Sequence, residues 1–544
     1  MSPTTSRPES FGGGRAPHVA YVNGRVWTGE PAHPWAQGLL VAGADLVAVG
    51  TDEEIRAVAP AGADVIDLGG RMVMPGIHDA HIHLLFSGLK FRYECRLENG
   101  AEAPRILRSL ADCGCAGHGL PERGGWVVGG EINPNVFPDA APDRAWLDEA
   151  YPDRPIFLYD YTIHHGFANA RALELAGIDA TTPDPHGGRI LRRPDTGEPT
   201  GELVERATWA VQRAIPDFSP AVYREAVRWA VSVANRYGIT SVQEASASGQ
   251  ELQALGELDA ADELTVHVAA HLVWREEGFG MADAELLEER IRDRARYASL
   301  HVRTDFVKLW LDGAPLPPHY THAGIGPDDT VDDTWLVVPP GELCEALGRF
   351  DREGLTVKIH CAAEGSVRVA LDAIEAVRKA NGPDGPVHEV AHCCFIHPDD
   401  LARFSALNAV AEMSPALWHR PEPEFAGLKK GYKFATLRRM GARVTVGSNW
   451  IITENPNLFP ALQGLLEHGE EKVDLATALH LMTLAGAEAV GMAERIGSLR
   501  PGKSADFIVL DRNLFRVPVA EVGATEVLLT VFEGRPVYRA ADSL

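Results

Sequence analysis

The chain has 544 residues, 45 % of them hydrophobic, and its 76 acidic against 51 basic side chains give a formal net charge of −25. At about 100–200 residues per domain this is too long for one compact core. The excess of carboxylates argues against a nucleic-acid partner and against an anionic membrane surface, and no run of about 18 apolar residues offers a membrane span.

Residues 1–17 are rich in Ser, Pro, Gly and Arg and lack an apolar signal core, so they are expected to be disordered. With seven cysteines, an odd and low number for the length, this predicts a cytoplasmic protein with reduced thiols. Cys113-Gly114-Cys115 with His118 has too few ligands for a structural zinc site and reads as a surface loop. From 18 to 73 the chain reads as short strands and turns, with Asn23-Gly24 a hairpin signal. Residues 495–541 look alike, for example Phe507-Ile508-Val509-Leu510 and Val527 to Phe532. Neither end has enough strands alone, so 18–73 and 495–541 are expected to form one composite β-sandwich.

The segment 74–494 opens on Met74-Pro75-Gly76-Ile77-His78-Asp79-Ala80-His81-Ile82-His83. His81 and His83 are two residues apart and share one face of an extended chain. Imidazole is the commonest metal ligand near neutral pH, so two at a strand end can share an ion. Helix and strand patterns then alternate. A helix from Ser219-Pro220 to Tyr237 is stopped by Gly238 and followed by the strand Ile239–Gln243. Comparable units lead to the strands Leu355–His360, Ala409–Met413 and Arg443–Gly447. Repeated βα units with β-branched strands imply a parallel sheet, and the length suits an α/β fold of the (β/α)₈ TIM-barrel type with insertions. A doubly wound sheet is the alternative, but no Gly-x-Gly-x-x-Gly follows a strand.

Catalytic residues of such barrels sit at the C-terminal strand ends. The predicted strands end on His81 and His83, on His164 and His165 after Pro155–Ile163, on Asp312 with Lys308 within the same strand, on His360, on His392, and on Ser448-Asn449-Trp450. Histidines at several successive strand ends point to a multi-histidine metal centre. Lys358 shares the face of His360 but lies deeper and reads as structural.

These motifs, together with His164 to Asn169, Gly197 to Gly201 with Glu205, Pro398 to Leu401 and Gly497 to Asp506, resemble the amidohydrolase superfamily, and more narrowly the amidohydrolase family 3 branch that includes N-substituted formamide deformylases. The resemblance runs from about residue 18 to 540. It implies one or two metal ions, usually zinc. His81 and His83 would hold the first, His360 and His392 the second, and a carboxylated Lys308 would bridge them. An ammonium cannot ligate, but CO₂ converts it to a carbamate. Lys308 paired with Asp312, or Asp312 itself as the bridge, stay open. The resemblance also implies a small-molecule substrate and a homodimer. His164 and Asn169 face that substrate or fix their loop, and Trp450 walls the pocket or packs in the core.

The sequence departs from the family at two points. An aspartate base is expected at the eighth strand end, and this chain has Asn449, whose amide cannot accept a proton at useful pH. The fifth strand end carries His360-Cys361-Ala362-Ala363-Glu364, which makes Glu364 a substitute acid or base, or a carboxylate complementing a helix dipole. Glu454 is a further candidate in the loop after Asn449. The expected activity is hydrolysis of non-peptide carbon–nitrogen bonds (amide, N-formyl or cyclic amide). Asn449 keeps open a lyase or isomerase on the same scaffold, or a weakly active ligand-binding relative.

Overall fold

A computed structural model describes residues 18–98, 100–113 and 123–541. The N-terminal segment 1–17 and the pair Cys115 and His118 lie outside the described residues.

Eight parallel strands form the centre: β1 (Ile77–Ile82), β2 (Ile239–Ala247), β3 (His267–Val273), β4 (Val302–Trp310), β5 (Thr356–Cys361), β6 (Glu389–His392), β7 (Val410–Met413) and β8 (Arg443–Val446). They are hydrogen-bonded in the order 8-7-6-5-4-3-2-1. All nine residues of β2 and all seven of β3 are buried, as parallel strands covered on both faces require. The ring closes just beyond β8, where the backbone N–H of Asn449 donates to the carbonyl of His81 at 2.7 Å and Ile82 bridges to Trp450. This is the expected (β/α)₈ barrel.

The helices pack by the spacing that the sequence offers. Pro220–Arg236 buries Tyr223, Ala226, Val227, Ala230, Val231 and Ala234 at three- and four-residue steps, and Gly238 at φ +81° lets the chain turn into β2. The neighbouring helix Leu84–Arg92 approaches so closely at Gly88 that a Cβ there would lie 2.3 Å from the Ala226 carbonyl oxygen. Among the described residues no helix is long and apolar enough to cross a membrane.

Both chain ends contribute to a pair of sheets. One holds strands Asp45–Gly50, Gly38–Ala42, His18–Val22 and Asp64–Asp67. The other joins Met72–Pro75, Arg25–Trp27 and Trp35–Ala36 to Phe507–Leu510, Val527–Phe532 and Arg535–Arg539. A common apolar core made of Tyr21, Leu39, Leu46, Val73, Phe507, Val509 and Val531 lies between them.

Two expectations are corrected. The strand expected over Pro155–Ile163 is Ile156–Asp160, and it is not part of the barrel. It pairs parallel with Val127–Ile132 and antiparallel with His165–Ala168 inside a separate six-stranded sheet inserted between β1 and β2. A short apolar run is the same signal in either sheet. Nor are all the thiols reduced: Cys95 and Cys113 form a disulfide. The strand Cys95–Arg96 and the end of helix Ala103–Asp112 bring their Cα atoms 5.7 Å apart, within disulfide reach. Cys344, Cys361, Cys393 and Cys394 are free.

Asn235 ties three layers together. Its side-chain amide donates to the carbonyls of Ile239 and Thr265 at 3.0 Å each, and its own carbonyl accepts from Thr530 at 2.7 Å. Asn235→Ala leaves the two buried carbonyls without that donor and is expected to lower stability by about 1–3 kcal/mol, read as a lower denaturation midpoint with the denaturant slope unchanged.

Candidate metal centre

Four imidazoles meet at the C-terminal mouth of the barrel. His81 is in β1 and His83 just after it, His360 is in β5, and His392 ends β6. The His392 ring lies 4.5 Å from that of His81 and 4.4 Å from that of His360, centroid to centroid, and His81 lies 5.4 Å from His83. Three of the four have Nδ1 occupied by an oxygen. His81 Nδ1 is 2.6 Å from Glu412 Oε2, His83 Nδ1 is 2.7 Å from Ser246 Oγ, and His360 Nδ1 is 3.2 Å from Asp312 Oδ1. A hydrogen bond donated from Nδ1 leaves the Nε2 lone pair free for an ion and fixes the ring that carries it. The Nε2 of His81 is buried and has no hydrogen-bond partner among the described residues. Burial, reinforced by nearby cationic groups, holds all four imidazoles well below their usual pKa, and neutral imidazole is the form that ligates.

Lys308, in β4, is 1 % exposed, and its Nζ has no hydrogen-bond partner among the described residues. Burial first, and then the charge of Lys358, push its pKa down. A deprotonated amine is what reacts with CO₂, so the environment suits carboxylation. Lys358 is structural as expected: its Nζ donates to the Ala80 carbonyl and to Gln243 Oε1 and lies 3.5 Å from Glu389. An unpartnered imidazole nitrogen and an unpartnered buried amine among neutral imidazoles are a donor set that fits divalent metal.

Asp312 is not placed as a bridging ligand. Its Oδ1 accepts from Ala362 N at 3.0 Å and meets His360 Nδ1, and its Oδ2 accepts from Ala323 N at 3.1 Å. It orients His360, and it is not paired with Lys308. The corresponding carboxylate for His81 is Glu412 in β7, which sequence reasoning missed. Its Oε2 also accepts from the His392 backbone N–H at 3.2 Å, so one carboxylate positions two of the imidazoles. A glutamate inside an otherwise apolar strand was the available signal. Burial pushes its pKa up against the pull of Lys358 and Lys308.

Beside this centre lies a cavity whose lining includes Phe86, Ile163, His164, Glu205, Trp209 and Phe279. The His164 ring is 5.3 Å from that of His360, and Phe279 stacks 6.3 Å from His83. Lys90 and Glu131, also in the lining, pair with each other. His164 Nδ1 is 3.1 Å from Glu205 Oε2, and Glu205 Oε1 accepts from Thr321. Burial disfavours charge on His164, but Glu205 outweighs it and raises the imidazole pKa. In return, and also against burial, His164 holds Glu205 down at about 2.

Other expected residues have different places. Asn169 is fully buried, outside the cavity lining, and caps helix Ala170–Leu175. Its Oδ1 accepts from Ala172 and Ile156, and its amide donates to the carbonyls of Tyr151 and Arg154. Trp450 is 1 % exposed and packs 5.9 Å from both Phe91 and Trp229, outside the cavity lining. Glu364 is the first residue of helix Glu364–Asn381, and among the described residues no hydrogen bond or ion pair ties it to the imidazoles. Glu454 pairs with Arg96 at the surface. Asn449 follows β8 at φ +49°, 4 % exposed, with its backbone bonded to His81.

A sequence profile described as amidohydrolase family matches residues 64–538. The chain is 28 % identical to an N-substituted formamide deformylase of Arthrobacter pascens over 96 % of this chain and 98 % of that protein. It is 27 % identical to the Protein LONG AFTER FAR-RED 3 of Arabidopsis thaliana over 95 % and 91 %. In fold it is similar to an uncharacterized metal-dependent hydrolase of Pyrococcus horikoshii OT3, with a TM-score of 0.71 at 21 % identity, covering 93 % of this chain and 99 % of that one.

Glu412→Gln keeps the size of the side chain but removes the charge behind His81. It is expected to weaken divalent-metal affinity by about 10–100-fold without loss of fold, as measured by competition with a chelator and by circular dichroism.

Proposed function

The chain belongs to the amidohydrolase family, and we propose that it is a metal-dependent hydrolase of non-peptide carbon–nitrogen bonds in a small amide, N-formyl or cyclic amide substrate. The observation that carries this is the donor set: three imidazoles with Nδ1 met by an oxygen, the buried Nε2 of His81 unpartnered, and the buried Lys308 amine without a hydrogen-bond partner among the described residues. In this reading His81 and His83 would hold one ion, zinc by preference, and His360 and His392 would hold a second where two are bound. Lys308 would add a carboxylate donor once its amine nitrogen has bonded to the carbon of CO₂ and lost a proton. When bound, such an ion makes water acidic enough to attack at neutral pH and withdraws electron density from a carbonyl.

The protein side chains divide the remaining work. His164, with Nδ1 committed to Glu205, has its other nitrogen left to pass a proton to the departing amine. Glu205 keeps that imidazole charged, and Thr321 holds Glu205 in place. Phe86, Trp209 and Phe279 give the cavity apolar walls that limit water. The Asn449 side-chain amide takes up no proton, and the bond that holds the β8 end against His81 is made by its backbone N–H.

Asn449 also favours a second reading, a lyase or isomerase on this scaffold or a weakly active ligand-binding relative. Asn449→Asp separates the two: a gain in amide hydrolysis supports a hydrolase with a weakened base position, and loss of a native activity supports a repurposed site.

The metal-loaded protein, assayed for amine release on N-formyl amines, simple amides, cyclic amides and dipeptides, is expected to turn over a member of the first three classes and spare the dipeptides. Zinc far below one ion per chain after growth in zinc, or turnover of dipeptides alone, overturns the proposal.

His164→Asn is expected to lower kcat by about 10²–10⁴-fold with the metal content unchanged. The pH profile gives a sharper check. A donor must be protonated, so activity is lost as pH rises through the His164 pKa. Glu205 raises that pKa. Glu205→Gln therefore moves the alkaline limb of the kcat profile to lower pH.

A further inference from the structure

A second histidine–carboxylate cluster lies at the opposite end of the barrel. His267 begins β3, His301 immediately precedes β4, and Glu533 lies in the turn between the terminal strands Val527–Phe532 and Arg535–Arg539. One ligating atom from each falls within 4.8 Å of the other two. The three residues are 5 %, 5 % and 7 % exposed. They come from the barrel floor and from the terminal sheets, so whatever joins them joins the two parts of the molecule.

Each imidazole is set as a ligand would be. His301 Nδ1 is 2.6 Å from Asp259 Oδ1, which turns Nε2 toward Glu533 Oε2 at 3.4 Å. That Nε2 is buried and makes no hydrogen bond among the described residues. His267 Nε2 is 2.9 Å from Asp506 Oδ2, which leaves its other nitrogen. Carboxylates behind ligating histidines are the usual way to fix the ring and raise its basicity. Asp506 Oδ1 in turn accepts the Glu533 backbone N–H at 2.7 Å, which ties the support of the His267 ring to the turn that carries Glu533.

Around the three lie Asp259, Asp506 and, 3.6 Å from Glu533 Oε1, Arg495. Imidazole nitrogen and carboxylate oxygen, the donors of a zinc-type ion, thus converge in one buried place.

We propose that His267, His301 and Glu533 form a structural site for a divalent cation of the zinc type, separate from the proposed catalytic centre, that fastens the barrel floor to the terminal sheets. Two imidazoles and a carboxylate select a borderline ion such as zinc over calcium or magnesium.

The test is anomalous diffraction at the zinc edge on crystals of the full chain equilibrated with zinc, together with elemental analysis of His301→Gln. A peak between His267, His301 and Glu533 is expected. His301→Gln should carry one zinc ion fewer per chain than the parent, keep its catalytic activity, and denature at a lower temperature. Absence of a peak there at saturating zinc overturns the proposal, as does a His301→Gln protein with the parent's full zinc content. Should His301→Gln fail to fold, Glu533→Gln gives the same reading of zinc content, and the diffraction result on the parent stands independently.

Discussion

The mouth of the barrel depends on the seam where β1 meets the end of β8. Asp79 is buried in β1, and its Oδ1 accepts the backbone N–H of His81 at 3.1 Å and that of Ser448 at 2.9 Å. One carboxylate oxygen thus joins the first strand to the segment after the last. Burial raises the Asp79 pKa to about 6 although these bonds oppose it, so the folded chain holds this proton more tightly than the unfolded one and stability falls as pH rises through that range. Gly447 lets the two backbones touch: a Cβ there would lie 2.5 Å from both the backbone N and the Cβ of His81. His81 is therefore held from its main chain by the seam and from its ring by Glu412. A metal ligand fixed at both ends costs little entropy when an ion arrives.

The same economy recurs at His83. The helix that follows it begins with two backbone N–H groups that need acceptors. Glu244 Oε2 takes that of Leu84 at 2.6 Å, and Glu251 Oε1 takes that of Leu85 at 3.0 Å. Both acids come from β2 and its following helix. Ser246, which meets His83 Nδ1, is in the same strand. Strand β2 offers no ligand of its own, yet it sets the position of one. Buried carboxylates are tolerated here because each accepts hydrogen bonds from backbone or histidine.

How much of this was legible follows from the range over which each signal acts. The strand-end histidines could be read because the period of a strand and the rule that barrel sites gather at C-terminal ends are both local statements. The partners of those histidines could not, since Glu412 is 331 residues from His81 and Ser246 is 163 from His83. Nothing in the neighbourhood of a lone acid in an apolar strand says which ring it will meet. Asn169 was legible for its local role. An Asn directly before Ala170-Arg171-Ala172-Leu173 is a helix-cap signal, and the cap is what forms. The motif in which it stands pointed to substrate as well as to loop fixing. His164 reached the cavity although its strand was assigned to the wrong sheet, because the inserted sheet lays its own turn over the barrel mouth.

Asn449 is the residue on which the chemistry turns, and its setting narrows what it can do. It sits at φ +49°, a left-handed conformation that Asn tolerates better than most residues, and its backbone is already engaged with His81. Across the mouth the environment is of the opposite kind. The imidazoles are kept neutral by burial, whereas His164 and Glu205 stabilise each other's charge against it. A neutral donor floor and a charged pair at its side separate metal binding from proton transfer. In the proposed reading the loss of an acid at the seam is then not the loss of acid–base chemistry, because His164, an imidazole whose pKa is raised, lies beside the cavity and 5.3 Å from a ligand ring.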